Sequence, residues 1–315
     1  MQQLKDFVYA LRQLGEIEIT NVDKVVGNVI YTGCGDSLAS SYLAQSRGSR
    51  AMSAGDIEWM ESIPPNTDTL VGISLSGTSG APIRALRRAR DAGITTLAVT
   101  SDEETPLGQA ANFVQALPRL DVKEELPVAG HVVLSLGVAA TLGIDVNGIA
   151  QELADRLETH GQQIIDEFLA QIPKNIPGAV SVLSLPDLRS GANFWTLKFM
   201  EGCGLPARDV PVEESGHVDY FIGPQEHLIV SLLGRAGKGR FDRLCQALEA
   251  NGMTVISLDF GSVVPQNDNR SDLLRELFAA VVGTYAIVSA AKFWGRPPFR
   301  GGEVNMDASH ITIEY

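Results

Sequence analysis

One order of elements runs through this chain twice, and it restricts the fold more than any other feature of the sequence. Apolar strand-like runs alternate with helix-length amphipathic segments. NVIYTG (28–33) precedes a helical stretch over 36–46, DTLVGISLS (68–76) precedes APIRALRRARDAG, and ITTLAVTSD (94–102) precedes TPLGQAANFVQAL, with Thr105 as N-cap and Pro106 at the first helical position. The second half repeats the order with GAVSVLSL (178–185), HLIVSLLG (227–234) followed by RFDRLCQALEANG, and MTVISLDF (253–260). Ser74 aligns with Ser231 and Gly77 with Gly234 at an offset of 157 residues, and Gly93 aligns with Gly252 at 159. A period that long marks a duplicated domain, not a solenoid. Strands alternating with crossover helices predict an α/β protein with two doubly wound parallel sheets in tandem. The division expected is an N-terminal helix over 1–24, a first domain over 25–150, a helical linker over 151–176 and a second domain over 177–315. Within it, 131–170 reads as helical and Pro173 and Pro177 close the linker.

Composition narrows the class. The chain has 315 residues, 44% hydrophobic and 20% charged, enough for sizeable cores. Three scattered cysteines give neither a disulfide framework nor a metal-ligand spacing, and with no apolar run of transmembrane length the expectation is a cytoplasmic protein without membrane contact. MQQLKDFVYALRQLGEIEI reads as an amphipathic helix, not a signal peptide. A formal charge of −13 repels phosphate backbones and argues against nucleic acid as a partner.

That acidity sharpens the meaning of GISLSGTSGAP (72–82), which crowds Ser74, Ser76, Gly77, Thr78 and Ser79 between a strand and a helix. With few bases available, an anion has to be held by hydroxyls and backbone N–H groups at a helix N-terminus, and glycine lets the backbone approach it. TGCGDS (32–37) is a second such loop, offering Gly35 and Ser37. The plainer alternative is that these hydroxyls only end a strand and cap a helix. The repeat bears on that choice: where the first copy has Ser76, Gly77, Thr78 and Ser79, the second has Leu233, Gly234, Arg235 and Ala236. Neither loop fits the P-loop pattern, so nucleotide binding is not indicated.

CGDS and ISLSGTS resemble the two phosphate-binding segments of the double sugar-isomerase-domain family. That family includes the isomerase half of glucosamine-6-phosphate synthase, bifunctional phosphoglucose/phosphomannose isomerases, and deaminases and deglycases of amino-sugar phosphates. The resemblance covers the chain from about residue 25 onward and implies flavodoxin-like subdomains. It implies a phosphosugar substrate whose phosphate is held by Ser37, Ser74, Ser76 and Ser79, to which the loop's own composition adds Thr78, with no metal or organic cofactor expected. Leu75 stands where the synthase has glutamine.

The resemblance also places chemistry in LKFMEGCGLPARDVPVEESGHVDY (197–220). Glu201 would shuttle a proton between C1 and C2 of the sugar, and His217, read as following a loop, would open the ring. In the family that histidine comes from the neighbouring subunit, which implies a homodimer. Each residue has a plainer reading: Glu201 in a surface ion pair with Lys198, His217 balanced by Glu213 and Glu214, Lys198 structural. Arg119 falls where isomerase-like relatives stabilise the enediolate. Near the C-terminus His310 falls close to where the synthase carries a lysine that forms a Schiff base, a departure from that mechanism. His131 and His227 read as core or boundary residues. The function expected is aldose–ketose isomerisation of a hexose 6-phosphate. An amino-sugar-phosphate deaminase or deglycase is the alternative on the same scaffold. A non-catalytic phosphosugar sensor is the other; regulators of this family carry an appended DNA-binding module, for which this chain is expected to have no room.

Overall fold

A computed structural model describes residues 2–23, 25–222 and 226–296; His310 lies outside them. Those residues divide into two compact units, one built from 13–121 and 129–150 and the other from 2–12, 122–128 and 151–296.

The first helix, α1 (Gln2–Leu14), closes ten residues before the expected boundary at 24. Its Phe7 ring meets Tyr285 edge-on at 6.1 Å.

The N-terminal unit then runs β1 (Val29–Gly33), α2 (Asp36–Gln45), β2 (Arg50–Ser53), α3 (Ala54–Trp59), β3 (Thr69–Ile73), α4 (Gly80–Asp91), β4 (Thr95–Thr100), α5 (Pro106–Ala110), β5 (Phe113–Ala116) and α6 (Ala129–Thr141). All strands pair in parallel, in the order β2-β1-β3-β4-β5. This is the flavodoxin-like order, whose crevice opens at the carboxyl ends of the two central strands where the winding reverses. Ile30, Leu70, Ala98, Ile83 and Leu86 pack together on one face of that sheet. Gly72 keeps β3 close to α4, because a Cβ there would stand 2.8 Å from Leu86 Cγ.

Helices α7 (Ile149–Arg156) and α8 (Gln162–Gln171), joined by a π-helical turn (Leu157–Gly161), precede the second sheet. The C-terminal unit continues with β6 (Ala179–Ser184), α9 (Arg189–Lys198), a π-helical turn (Phe199–Cys203), β7 (Ala207–Pro211), α10 (Val212–Ile222), β8 (His227–Leu233), α11 (Lys238–Ala250), β9 (Thr254–Asp259), α12 (Phe260–Val263) and α13 (Asn269–Phe293). Its four parallel strands follow the order β7-β6-β8-β9, the same winding less one strand. The tandem doubly wound α/β architecture read from the sequence is therefore observed. Helix α13 alone among the described helices is long and apolar enough to cross a membrane; 89% of its apolar window is buried inside the protein, as befits a core helix.

Three local expectations fail. TPLGQAANFVQAL is not one helix: α5 stops at Ala110, and Phe113–Ala116 is an edge strand. The Asn112 carboxamide accepts from both the amide and hydroxyl of Thr96 at 2.9 Å and ties the chain to β4. The helical reading of 131–170 is interrupted between α6 and α7, where Gly143 and Gly148 take φ of 75° and 78°. His217 does not follow a loop; it lies inside α10.

Candidate functional site

The hydroxyl-rich loop sits at the carboxyl end of β3, and the CGDS loop at that of β1, so both border the crevice where this topology binds ligands. Gly77 has φ 65°, and a Cβ there would stand 2.3 Å from Cβ of Thr105, so only glycine lets the loop fold against the cap of α5. The Leu107 amide donates to the Gly77 carbonyl at 2.9 Å and fixes the turn from below. Ser79 is the N-cap residue of α4, yet its hydroxyl makes no capping hydrogen bond. It accepts instead from Ser74 Oγ at 3.2 Å, while Ser76 and Thr78 pair their hydroxyls at 2.9 Å. The capping explanation of these hydroxyls is thereby excluded for Ser79. The first amides of α4, Gly80 and Ala81, have no intrahelical acceptor, and Pro82 carries none to satisfy. The Ser76 and Thr78 hydroxyls are exposed beside them.

On the β1 side, Gly35 is the N-cap of α2 with φ 53° and makes no side-chain cap bond. Gly33 closes the strand tightly, since a Cβ there would lie 2.8 Å from the Ser37 carbonyl carbon. Ser37 is half-buried one position into α2. A cavity of about 460 Å³ adjoins the hydroxyl loop and is lined by Leu75, Ser76, Ser101, Arg119, Leu120, Ala129 and Gly130. Arg119 is thus brought to the same cavity as Ser76.

The second copy resolves the same crevice differently. After β6, Asp187 receives the amide of Arg235 at 2.9 Å from the loop after β8. Gly234 makes room for it: a Cβ there would stand 2.2 Å from Asp187 Oδ2. A carboxylate of the chain itself therefore occupies the strand-end crevice of this copy.

Glu201 lies in the π-helical turn Phe199–Cys203, which Gly204 ends in the left-handed conformation at φ 64°. Such one-turn π segments are frequent at functional sites because the extra residue re-aims a side chain. Its carboxylate takes the Lys198 ammonium at 2.7 Å. The pair is no surface ion pair: Lys198 is fully buried, over the Phe194 ring at 4.5 Å from its centroid, while the Glu201 side chain is 35% exposed. A buried ammonium persists only when paired, so Lys198 fixes where the Glu201 carboxylate stands.

His217 is exposed on α10. Glu213 on the same helix does not balance it alone, because both its carboxylate oxygens accept from Arg240 at 2.8 Å. That bidentate pair and nearby positive groups, His217 among them, hold the Glu213 carboxyl below its usual range.

Sequence reading missed one cluster. Asp219 is fully buried, and its Oδ1 accepts from Ser181 Oγ at 2.7 Å and Arg208 Nη2 at 2.5 Å, with His227 Nε2 at 3.4 Å. Burial alone would raise this carboxyl; hydrogen bonds from His227, Ser215, Ser181 and Arg208 outweigh it and hold it at about 2. Only the inward stripe Val212–Ser215–Asp219, with an acid where an apolar residue is expected, marks it in the sequence. His131 is buried against Ser40 Oγ at 2.9 Å. Among the described residues no group of three metal-ligating side chains occurs.

No family model matches the chain, and no curated protein matches it. Solved structures do. The chain is similar to glucosamine-6-phosphate deaminase from Thermotoga maritima, with a TM-score of 0.71 at 19% identity over 95% of this chain and 96% of that one. It is similar to tagatose-6-phosphate ketose/aldose isomerase from Escherichia coli (TM-score 0.67, 16% identity, 94% and 93% covered). The C-terminal domain of glucosamine-fructose-6-phosphate aminotransferase from Francisella tularensis gives 0.65 at 13% identity, over 93% and 94%. At such identities the likeness is one of fold, and it extends over nearly the whole of each chain.

Proposed function

We propose that the chain is a phosphosugar enzyme that interconverts an aldose and a ketose 6-phosphate. The observation that carries this reading is the hydroxyl loop at the β1/β3 crevice, whose Ser79 hydroxyl is not spent on capping and whose counterpart in the second copy is filled by a carboxylate. A tetrahedral dianion suits such a loop: Ser37, Ser74, Ser76, Thr78 and Ser79 supply hydroxyls, Gly35 and Gly77 close backbone approach, and the α4 N-terminus a favourable dipole. The neighbours of like fold that act on 6-phosphosugars support the same substrate class.

In this reading His217 exchanges the proton that opens the sugar ring, and Glu201 takes the C2 proton and returns it to C1. Lys198 keeps the carboxylate aimed, and Arg119 faces the developing enediolate oxygen. The working form is a homodimer. Release of ammonia from an amino-sugar phosphate is the second reading, favoured by the deaminase fold neighbour.

Incubation with glucose 6-phosphate, mannose 6-phosphate and glucosamine 6-phosphate, with ketose and ammonia both assayed, separates the two. Glu201→Gln is expected to bind glucose 6-phosphate as the parent does while turnover falls by roughly 10²–10⁴-fold, the usual worth of a general base. Parent-level turnover by that variant would remove Glu201 from the mechanism.

A further inference from the structure

Helix α10 is docked on its sheet in an unusual way. Of its eleven residues, the buried ones are Val212, Ser215 and Asp219, and its outward positions include Val218, Tyr220 and Phe221, 39%, 50% and 80% exposed. Val212 and the half-buried Ile222 pack on the core near the two ends. Between them the helix is held by a charge. Oδ1 of Asp219 gathers Arg208 from β7, Ser181 from β6 and His227 from β8, and these partners also bond one another: Arg208 Nε donates to Ser181 Oγ at 3.1 Å, and Ser181 Oγ meets His227 Nε2 at 2.9 Å.

For stability alone this is a poor choice, since an apolar side chain in place of a buried ion pair is often neutral or better. Hydrogen bonds have direction where apolar contacts have none. Three strands converging on one oxygen fix the rotation of α10 about its own axis. Two residues along a helix turn it by roughly 200°, so a carboxylate pinned inward at 219 aims residue 217 outward.

We infer that Asp219 is a positioning residue for His217, its strand-held carboxylate setting the direction in which the imidazole is presented to substrate. The inference rests on the ring-opening role proposed for His217. It predicts a specific defect: a chain without the clamp folds and binds substrate, yet fails at the step that needs the imidazole.

The test is Asp219→Leu in the full chain, which leaves Arg208, 44% exposed at its side chain, free to reach water. Amide hydrogen exchange over 212–222 should quicken in the variant, and this arm reads the clamp whatever the reaction is. With glucose 6-phosphate, kcat should fall about 10- to 100-fold with KM within about twofold, as for a misaimed group. With erythrose 4-phosphate, too short to form the hexose ring, turnover should stay near that of the parent. Unchanged exchange, a parent-level kcat on the hexose, or equal losses on both substrates would each overturn the inference. No turnover by the parent would end the isomerase reading and leave the exchange result to decide the clamp. Should Asp219→Leu fail to fold, Ser181→Ala removes three bonds of the network, those to Asp219, His227 and Arg208, without touching the charge, and the same pattern is expected at smaller amplitude.

Discussion

The two sheets share one winding, yet the crevices at their central strands end differently. In the N-terminal unit the loop after β3 keeps its hydroxyls among themselves, and helix amides open beside them. In the C-terminal unit a carboxylate from the loop after β6 receives an amide from the loop after β8. Both crevices have the electrostatics of an anion site; among the described residues one receives a carboxylate of the chain and the other does not. Because the backbone geometry is retained where the ligand groups are replaced, what distinguishes the copies is chemistry at a few side chains, above all Ser37 against Asp187 and Ser79 against the unhydroxylated cap Gly237 of α11.

The largest expected effect comes from turning the first copy into the second. Ser37→Asp places a carboxylate at the crevice of the N-terminal unit, in the first turn of α2 where an acid suits the helix dipole, so the fold should survive. Binding of glucose 6-phosphate, followed by calorimetry, should weaken by at least about 100-fold, a cost of roughly 2.7 kcal/mol. Parent affinity in a folded Ser37→Asp protein would mean that the phosphate sits elsewhere, and the comparison would lose its functional meaning.

That contrast was only half legible in the sequence. The hydroxyl loop announced itself because Ser, Thr and Gly run without interruption over 76–80, with Ser74 just before them. Asp187 left no such trace, since its partner is a backbone amide 48 residues away that any residue could supply. Central strands β1, β3, β6 and β8 were readable as continuous apolar runs, whereas β2 (RAMS) and β7 (ARDVP) are edge strands, half solvated and free to carry charge and proline. The Lys198–Glu201 spacing was visible and its burial was not: a helical i,i+3 pair reads the same at a surface and in a core. The inward stripe of α10 marks Asp219, but its clamp was not legible because Ser181, Arg208 and His227 come from three strands.

Acid should separate the two units by a smaller margin. Asp219 sits in the C-terminal unit with its pKa lowered from 3.8 to about 2. A group depressed on folding stabilises fully above its unfolded pKa and loses that contribution as pH falls through the folded one. Its share, roughly 2 kcal/mol, is therefore intact above about pH 5 and disappears between pH 4 and 2. Trp195 is fully buried in this unit, while Trp59 of the other is already 82% exposed, so a red shift of tryptophan emission reports chiefly on the C-terminal unit. The shift should set in below pH 4, and Asp219→Leu should flatten that part of the curve. An unaltered acid transition in the variant would show that other carboxylates govern it.

The smallest effect tests how each copy seats its strand-end glycine. In the N-terminal unit Gly77 rests against Thr105, whose hydroxyl also accepts the Gly108 amide at 3.1 Å as the cap of α5. In the C-terminal unit the cap of α12 is Asp259, and the backbone of Gly261 faces Gly234, where a Cβ would stand 2.2 Å from the Gly234 carbonyl oxygen. One side chain thus both caps and buttresses in the first copy, and the two tasks are divided in the second. Thr105→Ala should cost about 1 kcal/mol, the ordinary worth of a cap, and should also loosen the hydroxyl loop enough to weaken glucose 6-phosphate binding about two- to fivefold, or roughly 0.4–1 kcal/mol. Thr105→Ser keeps the hydroxyl and drops the methyl, so it should recover the thermal stability but only part of the affinity. If Ser restored both, capping would account for everything Thr105 does, and the loop would need no wall behind Gly77.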